Sequence, residues 1–204
     1  MTGKSEPEIS VGIVSGSGLT FTLNGEFFAG DGGKKFYGRY TAVVAGDSLL
    51  LNNEDETVKA GEEITFVPSS FAGCSFTLHA VTIGVNFHWQ RNEDQTFRGN
   101  LKFIVRGGLV TAVNILPVED YLVSVISSEM SATSSGELLR AHAVISRSWL
   151  LAQIDKTLRL CDTDEKYRTS FVTDAEITRW YDREDHRDFD VCADDHCQRY
   201  QGIT

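Results

Sequence analysis

The stretch PVEDYLVSVISSEM, from Pro117 to Met130, decides how the chain divides. Proline is tolerated at the first position of a helix, and Val118, Leu122, Val125/Ile126 and Met130 recur at helical spacing. Glu119 and Asp120 sit in the first turn, where the helix dipole favours negative charge. A helix therefore starts at Pro117. The Ser/Thr/Gly cluster from Ser131 to Gly136 ends it. There Ser134, followed three residues later by Glu137, has the pattern of a capping box for a second helix running to about Ile154. Its buried stripe is predicted as Leu138, Ala141/His142, Ile145, Trp149 and Ala152.

Upstream of Pro117 the period is different. Val11/Ile13, Leu19/Phe21/Leu23, Tyr40/Ala42/Val44, Val81/Ile83/Val85/Phe87 and Leu101/Phe103/Val105 alternate by two, the spacing of strands with one buried face. Turn-forming residues divide the runs: Asn24-Gly25, Gly30-Asp31-Gly32-Gly33, Ala45-Gly46-Asp47, Asn52-Asn53, Ala60-Gly61 and Arg106-Gly107-Gly108. Downstream of Lys156 the chain is polar and irregular, and Ala175 to Arg183 is a candidate short helix. The predicted fold class is α+β: an all-β N-terminal lobe (residues 1–116), then a two-helix segment and an irregular Cys/His-containing tail (residues 117–204).

The 204 residues suit one large domain or two small lobes sharing a core. With 41% hydrophobic and 24% charged residues, disorder and fibrous repeats are excluded. Nineteen Lys and Arg against 29 Asp and Glu leave a charge of −10, which repels phosphate backbones and makes nucleic acid a poor partner. No apolar stretch approaches the ~20 residues of a membrane-spanning helix. The opening MTGKSEPEISVGIVSG lacks the apolar block of a secretory signal. The four cysteines, Cys74, Cys161, Cys192 and Cys197, are too sparse for a disulfide scaffold.

Glu129 is the candidate general acid. At the C-terminal end of the first helix, the negative end of the dipole and partial apolar cover favour a protonated carboxyl group. An ordinary solvated glutamate is the alternative. Glu119 lies on another face, in the helix's first turn, and is expected to support the helix. The tail offers His186, Cys192, His196 and Cys197, a donor mix suited to tetrahedral Zn²⁺, with a Cys192–Cys197 disulfide or uninvolved side chains as alternatives.

The segment Leu116–Trp149, LPVEDYLVSVISSEM followed by SGELLRAHAVISRSW, resembles the core of the sporulation protein D (SpoIID)/LytB domain family. That family's form runs P-L/V-E-D-Y-L, a short apolar run, E-M, then E-A-L-K-A-Q-A-x-A-A-R-T-Y. Gln198-Arg199-Tyr200-Gln201-Gly202 is similar to its later Q-x-Y-x-G. The resemblance implies a peptidoglycan lytic transglycosylase, preferring glycan strands stripped of stem peptides, with Glu129 as the one acid/base residue. Some relatives are instead glycan-binding modules or enhancers of a cell-wall amidase, and some carry zinc on a similar His/Cys cluster. The family pattern is altered at Arg140 (for Lys), His142 (for Gln) and Ser148-Trp149 (for Thr-Tyr), whereas Arg147 is retained.

His142, standing where the family usually has an amide, is a candidate to hold substrate, with a satisfied core or backing histidine on an otherwise apolar stripe as the alternative. Arg147 is a candidate to orient Glu129 or hold a sugar hydroxyl, and a plain structural bond is the alternative. Gln198 and Tyr200 are candidates to line a sugar cleft, as an amide can bridge two hydroxyls and an aromatic face packs on a pyranose; a strand with one polar side is the alternative. Trp180-Tyr181 would extend such a groove, but an aromatic pair is more often core. A peptidoglycan substrate implies a cell-envelope or periplasmic location with the secretion signal outside this chain, and the resembled domain normally continues past Q-x-Y-x-G.

Overall fold

A computed structural model describes residues 6–29, 33–84, 88–161, 170–175, 177–179 and 186–203. The expected strand positions Val85 and Phe87, the turn residues Gly30 to Gly32, and the aromatic pair Trp180-Tyr181 lie outside the described residues. The architecture is α+β, a large mostly antiparallel sheet system followed by two helices.

The strands are β1 (Glu8–Gly16), β2 (Gly18–Ala29), β3 (Lys34–Ala45), β4 (Ser48–Asn52), β5 (Thr57–Ala60), β6 (Glu63–Pro68), β7 (Ser75–Ile83), β8 (Arg91–Phe97), β9 (Asn100–Arg106) and β10 (Leu109–Pro117). Helices α1 (Val118–Glu129) and α2 (Gly136–Cys161) follow, then β11 (Ser170–Val172), β12 (Ile177–Arg179) and β13 (Val191–Cys192). The main sheet runs β13-β1-β10-β9-β6-β2-β3-β4-β5, with β7 on β2 and β8 on β7.

Asn24-Gly25 does not turn the chain, contrary to the expectation from sequence. It is an irregularity inside the long strand β2, where the register on β3 shifts between Leu23 and Phe27. Residues 21–24 of β2 pair with β7, and residues 27–29 pair with β6. Gly25 adopts φ +113°, and a Cβ there would stand 2.7 Å from Cys74 Sγ, so both the backbone angle and the sulfur beneath it select glycine.

The alternating apolar residues face inward as their period requires. Phe21, Phe36, Tyr40, Phe66 and Phe103 form one aromatic cluster. A second line of rings runs from Phe76 through Phe97 and Tyr200 to Tyr121, at centroid separations of 5.4, 5.6 and 5.0 Å. It ties β7 and β8 to α1 through a residue of the tail.

Helix α1 buries Val118, Tyr121, Leu122, Ser124 and Val125. Its first turn is held from outside: Val118 N–H donates to Pro7 O (3.0 Å) and Glu119 N–H to the Glu6 carboxylate (2.7 Å). Helix α2 corrects three expectations. The side chain at its N-terminus that accepts from the Leu138 N–H is Ser135 (3.2 Å), not Ser134, and Glu137 pairs loosely with Arg140 instead of reaching back. The helix continues past Ile154 to Cys161. Of the predicted stripe, Trp149 packs against the core and His142 and Ala152 are half-buried, but Leu138 and Ile145 are exposed, and the fully buried positions are Ser146 and Leu150. Ala175–Arg183 is not a helix in its described part, since Ile177–Arg179 pairs antiparallel with Ser170–Val172. The β-branched Ile177 and Thr178 favour that extended form.

Candidate active site and metal centre

The tail is drawn back onto the β lobe. β13 pairs parallel with β1 through Val11↔Val191 and Gly12↔Cys192. Asp190 clamps the start of this pairing, accepting from both the N–H and the hydroxyl of Ser10 at 2.8 and 2.6 Å. The chain turns at Asp194–Cys197 and returns, with Tyr200 N–H donating to Ala193 O (3.0 Å). This brings residues 198–200 against the end of α1.

Glu129 is the last residue of α1, and its side chain is 27% exposed. One carboxylate oxygen, Oε1, accepts the backbone N–H of Arg199 at 3.0 Å. The other, Oε2, lies 2.8 Å from His142 Nε2, on a side chain only 13% exposed. The carboxyl group is therefore fixed by two partners from two separate segments. His142 Nδ1 is buried with no hydrogen-bond partner. An unpartnered lone pair is the cheaper of the two ways to leave a ring nitrogen alone, which favours the proton on Nε2, facing Glu129.

Arg147 does not reach Glu129. It grips Glu119 with a two-pronged ion pair, Nε to Oε1 at 2.8 Å and Nη2 to Oε2, joining α2 to the start of α1. That bond holds the Glu119 carboxyl below the usual range. Gln198 and Tyr200, expected on a sugar cleft, are buried. The Gln198 amide accepts from Tyr121 Oη (3.4 Å) and donates to Ser146 O (3.5 Å). Tyr200 Oη donates to Asn114 Oδ1 at 2.6 Å. Burial pushes the Tyr121 and Tyr200 hydroxyls up, so both stay protonated as donors. Gly202 closes this segment at φ +70°. A Cβ there would lie 2.1 Å from Thr96 O, so no other residue fits the seat.

His186, Cys192, His196 and Cys197 converge, with one donor atom from each lying within 4.8 Å of all the others. Cys197 Sγ stands 3.4 Å from His196 Nδ1 and 3.5 Å from His186 Nε2, and Cys192 Sγ stands 3.8 Å from His196 Nδ1. A tetrahedral Zn²⁺, with Zn–S about 2.3 Å and Zn–N about 2.0–2.1 Å, sets its donors about 3.3–3.8 Å apart, so the group fits such an ion. Cys192 and Cys197 are both free thiols, which removes the disulfide alternative. Hydrogen bonding, first from Cys197 and then from His186, Asp194 and His196, pulls the Cys192 thiol far down toward its metal-binding thiolate form.

Residues 106–204 match the family model SpoIID, described as Stage II sporulation protein. This segment belongs to the SpoIID family. No curated protein and no solved structure matches the chain significantly. The SpoIID match covers β10, both helices, the His/Cys group and every candidate site residue, and it ties the segment to sporulation and the cell wall through a domain associated with peptidoglycan degradation. Among the described residues, no helix is long and apolar enough to cross a membrane. Sequence reasoning missed Arg199, whose contribution to the site comes through a backbone N–H that any residue would supply. It also missed Asn114, a polar residue inside an apolar strand, which was the one available signal for the Tyr200 anchor.

Proposed function

We propose that this chain is a peptidoglycan lytic transglycosylase in which Glu129 is the single acid/base residue, acting on glycan strands freed of stem peptides. The observation that supports this most is the double anchoring of Glu129 by His142 and the Arg199 N–H at the open end of α1. A group that must give and then retake one proton needs a fixed position within hydrogen-bond reach of the bond it breaks.

In the forward step the protonated Glu129 gives its proton to the glycosidic oxygen, and the bond from that oxygen to the muramyl C1 breaks. The C6 hydroxyl oxygen of the same sugar bonds to C1, and Glu129, now a carboxylate, takes the hydroxyl proton. One product carries a 1,6-anhydro end and the other a free hydroxyl. No water is consumed, so no second carboxylate is needed to activate one. His142 Nε2 and the Arg199 N–H stabilise the carboxylate between its two roles. Arg147 acts at a distance, by holding α2 against α1 through Glu119.

His186, Cys192, His196 and Cys197 would hold a structural Zn²⁺. With four protein donors such a site is closed, so the ion supplies stability and no reacting water. The reading assigns the protein to the cell envelope or periplasm, with the glycan strand as its partner.

A second reading has one observation in its favour. Both oxygens of Glu129 are already engaged, as in a carboxylate that only shapes a surface, and this suits a glycan-binding module or an enhancer of a cell-wall amidase. One experiment separates the two. Peptide-free glycan strands are incubated with the wild type and with Glu129→Gln, and the products are identified by mass spectrometry. The enzyme reading expects anhydro-muramyl products from the wild type alone. Equal release by both proteins overturns it, and amidase stimulation that survives Glu129→Gln selects the second reading.

A further inference from the structure

A cavity of about 400 Å³ lies between β1, the ends of β7 and β8, and the returning tail, within the size range of small-molecule sites. Its apolar walls are Ile13, Val14, Val81, Ile83 and Phe189, and polar residues including Thr111, Cys192 and Asp194 complete the lining. Three features set it apart from a packing defect.

The first is an unpaired donor. Gln95, on the inward face of β8, is 2% exposed and lines the cavity, and its Nε2 has no hydrogen-bond partner. A buried amide N–H without an acceptor is costly, and the cavity is the open space from which an acceptor would come. The second is how the aromatic walls are seated. Phe189 lies on the bare backbone of Gly12 and Trp89 on that of Gly84, where added Cβ atoms would stand 2.4 and 2.2 Å from the rings. The backbone thus leaves room for two rings that frame the space. The third is a residue shared with the carboxyl group. Arg199, which lines the cavity, gives its backbone N–H to Glu129, while its guanidinium lies 5.0 Å from the Trp89 ring and pairs with Asp195.

We propose that this cavity is a subsite for an acetamido sugar, in which the acetamido carbonyl accepts from Gln95 Nε2 and the methyl group packs on the aliphatic wall formed by Val81 and its neighbours. One small group then supplies both what the buried amide lacks and what the apolar walls exclude from water. The Trp89 ring, held between the Gly84 backbone and the Arg199 guanidinium, closes that side of the subsite against the sugar. Val81 and Ile83 come from β7, Gln95 from β8 and Trp89 from the turn between them, all upstream of residue 106, so the β lobe supplies this selectivity and the SpoIID segment supplies the carboxyl group. The inference rests on the glycan reading of Glu129 and names which part of the sugar is recognised.

The test uses the full chain carrying Glu129→Gln, so that no turnover intervenes. Binding of an N-acetylglucosamine tetrasaccharide and of its de-N-acetylated counterpart is measured by calorimetry, alone and with Gln95→Leu added. A hydrogen bond to a buried donor, together with methyl burial, predicts a preference of about tenfold or more for the acetylated ligand. Gln95→Leu is expected to abolish that preference while leaving Tm unchanged or higher, because it removes an unpaired buried polar group of similar size. A second readout needs no stability argument. The Gln95 side-chain NH₂ resonance, assigned by its loss in Gln95→Leu, should shift with the acetylated ligand and not with the other. Equal affinity for the two ligands, a preference that survives Gln95→Leu, or an unmoved Gln95 resonance overturns the subsite. If the preference tracks Gln95 while wild-type protein yields no anhydro products, the subsite stands and the catalytic reading falls. If anhydro products form and the preference ignores Gln95, the reverse holds.

Discussion

Removing one oxygen atom, by Tyr200→Phe, tests how the tail is fixed to the β lobe. Asn114 is fully buried, and its Nδ2 is committed to Arg98 O and Asn100 O at 2.8 and 3.1 Å. Those bonds fix the amide's orientation, so Oδ1 cannot turn away to find another donor. The Tyr200 hydroxyl reaches it at 2.6 Å. Phenylalanine keeps the ring and its stacking on Tyr121 and Phe97, so the change leaves a single buried acceptor unpaired. The expected cost is about 1–3 kcal/mol. For a chain of this length each kcal/mol moves Tm by about 2–4 °C, so the melting temperature should fall by about 2–12 °C. Calorimetry, with urea unfolding as a cross-check, reads this directly. A loss below about 0.5 kcal/mol, the scale of an ordinary surface substitution, would refute the claim that this bond is a buried anchor.

Gly202→Ala should cost more than about 2 kcal/mol, because strain at positive φ adds to a collision with the Thr96 backbone; wild-type stability in urea would contradict that seat. Arg147→Gln should cause only a small loss at neutral pH, since the pair with Glu119 is largely exposed to solvent. The Glu119 carboxyl is lowered by Arg147, so the pair's contribution is present above the ordinary carboxylate pKa and fades as pH falls through the lowered one. Wild-type and variant melting curves should therefore converge in acid, and divergence there would reverse the sign. Addition of Zn²⁺ to chelator-treated protein should raise Tm with one-to-one stoichiometry, by about 2.7 kcal/mol of stabilisation at a hundredfold excess over Kd. Cys192→Ser should abolish that response, and an unchanged response would remove Cys192 from the donor set.

Strand positions and the start of α1 were legible because burial on one face imposes a period of two, and Pro117 with two acids marks a helix start. Asn24-Gly25 misled because it is also the strongest short hairpin signal. In β2 the same positive φ serves a partner change above Cys74, a demand set by residues distant in sequence. The α2 stripe was misplaced for a related reason. Hydropathy selects Leu138 and Ile145, which are exposed, and passes over Ser146, which is buried and whose carbonyl accepts from Gln198. The His/Cys group was readable from donor type alone, whereas the pairing of Arg147 with Glu119 and the Arg199 N–H at Glu129 are products of chain return, invisible to local pattern.

The most direct measurement of the central claim is the fate of water oxygen during glycan cleavage. Peptide-free strands are digested in water enriched in ¹⁸O, and the new muramyl ends are weighed by mass spectrometry. Proton transfer through Glu129 with attack by the sugar's own C6 hydroxyl predicts anhydro ends free of the label, and no new ends at all with Glu129→Gln. Reducing ends that carry ¹⁸O, or unlabelled anhydro ends still formed by Glu129→Gln, would contradict it.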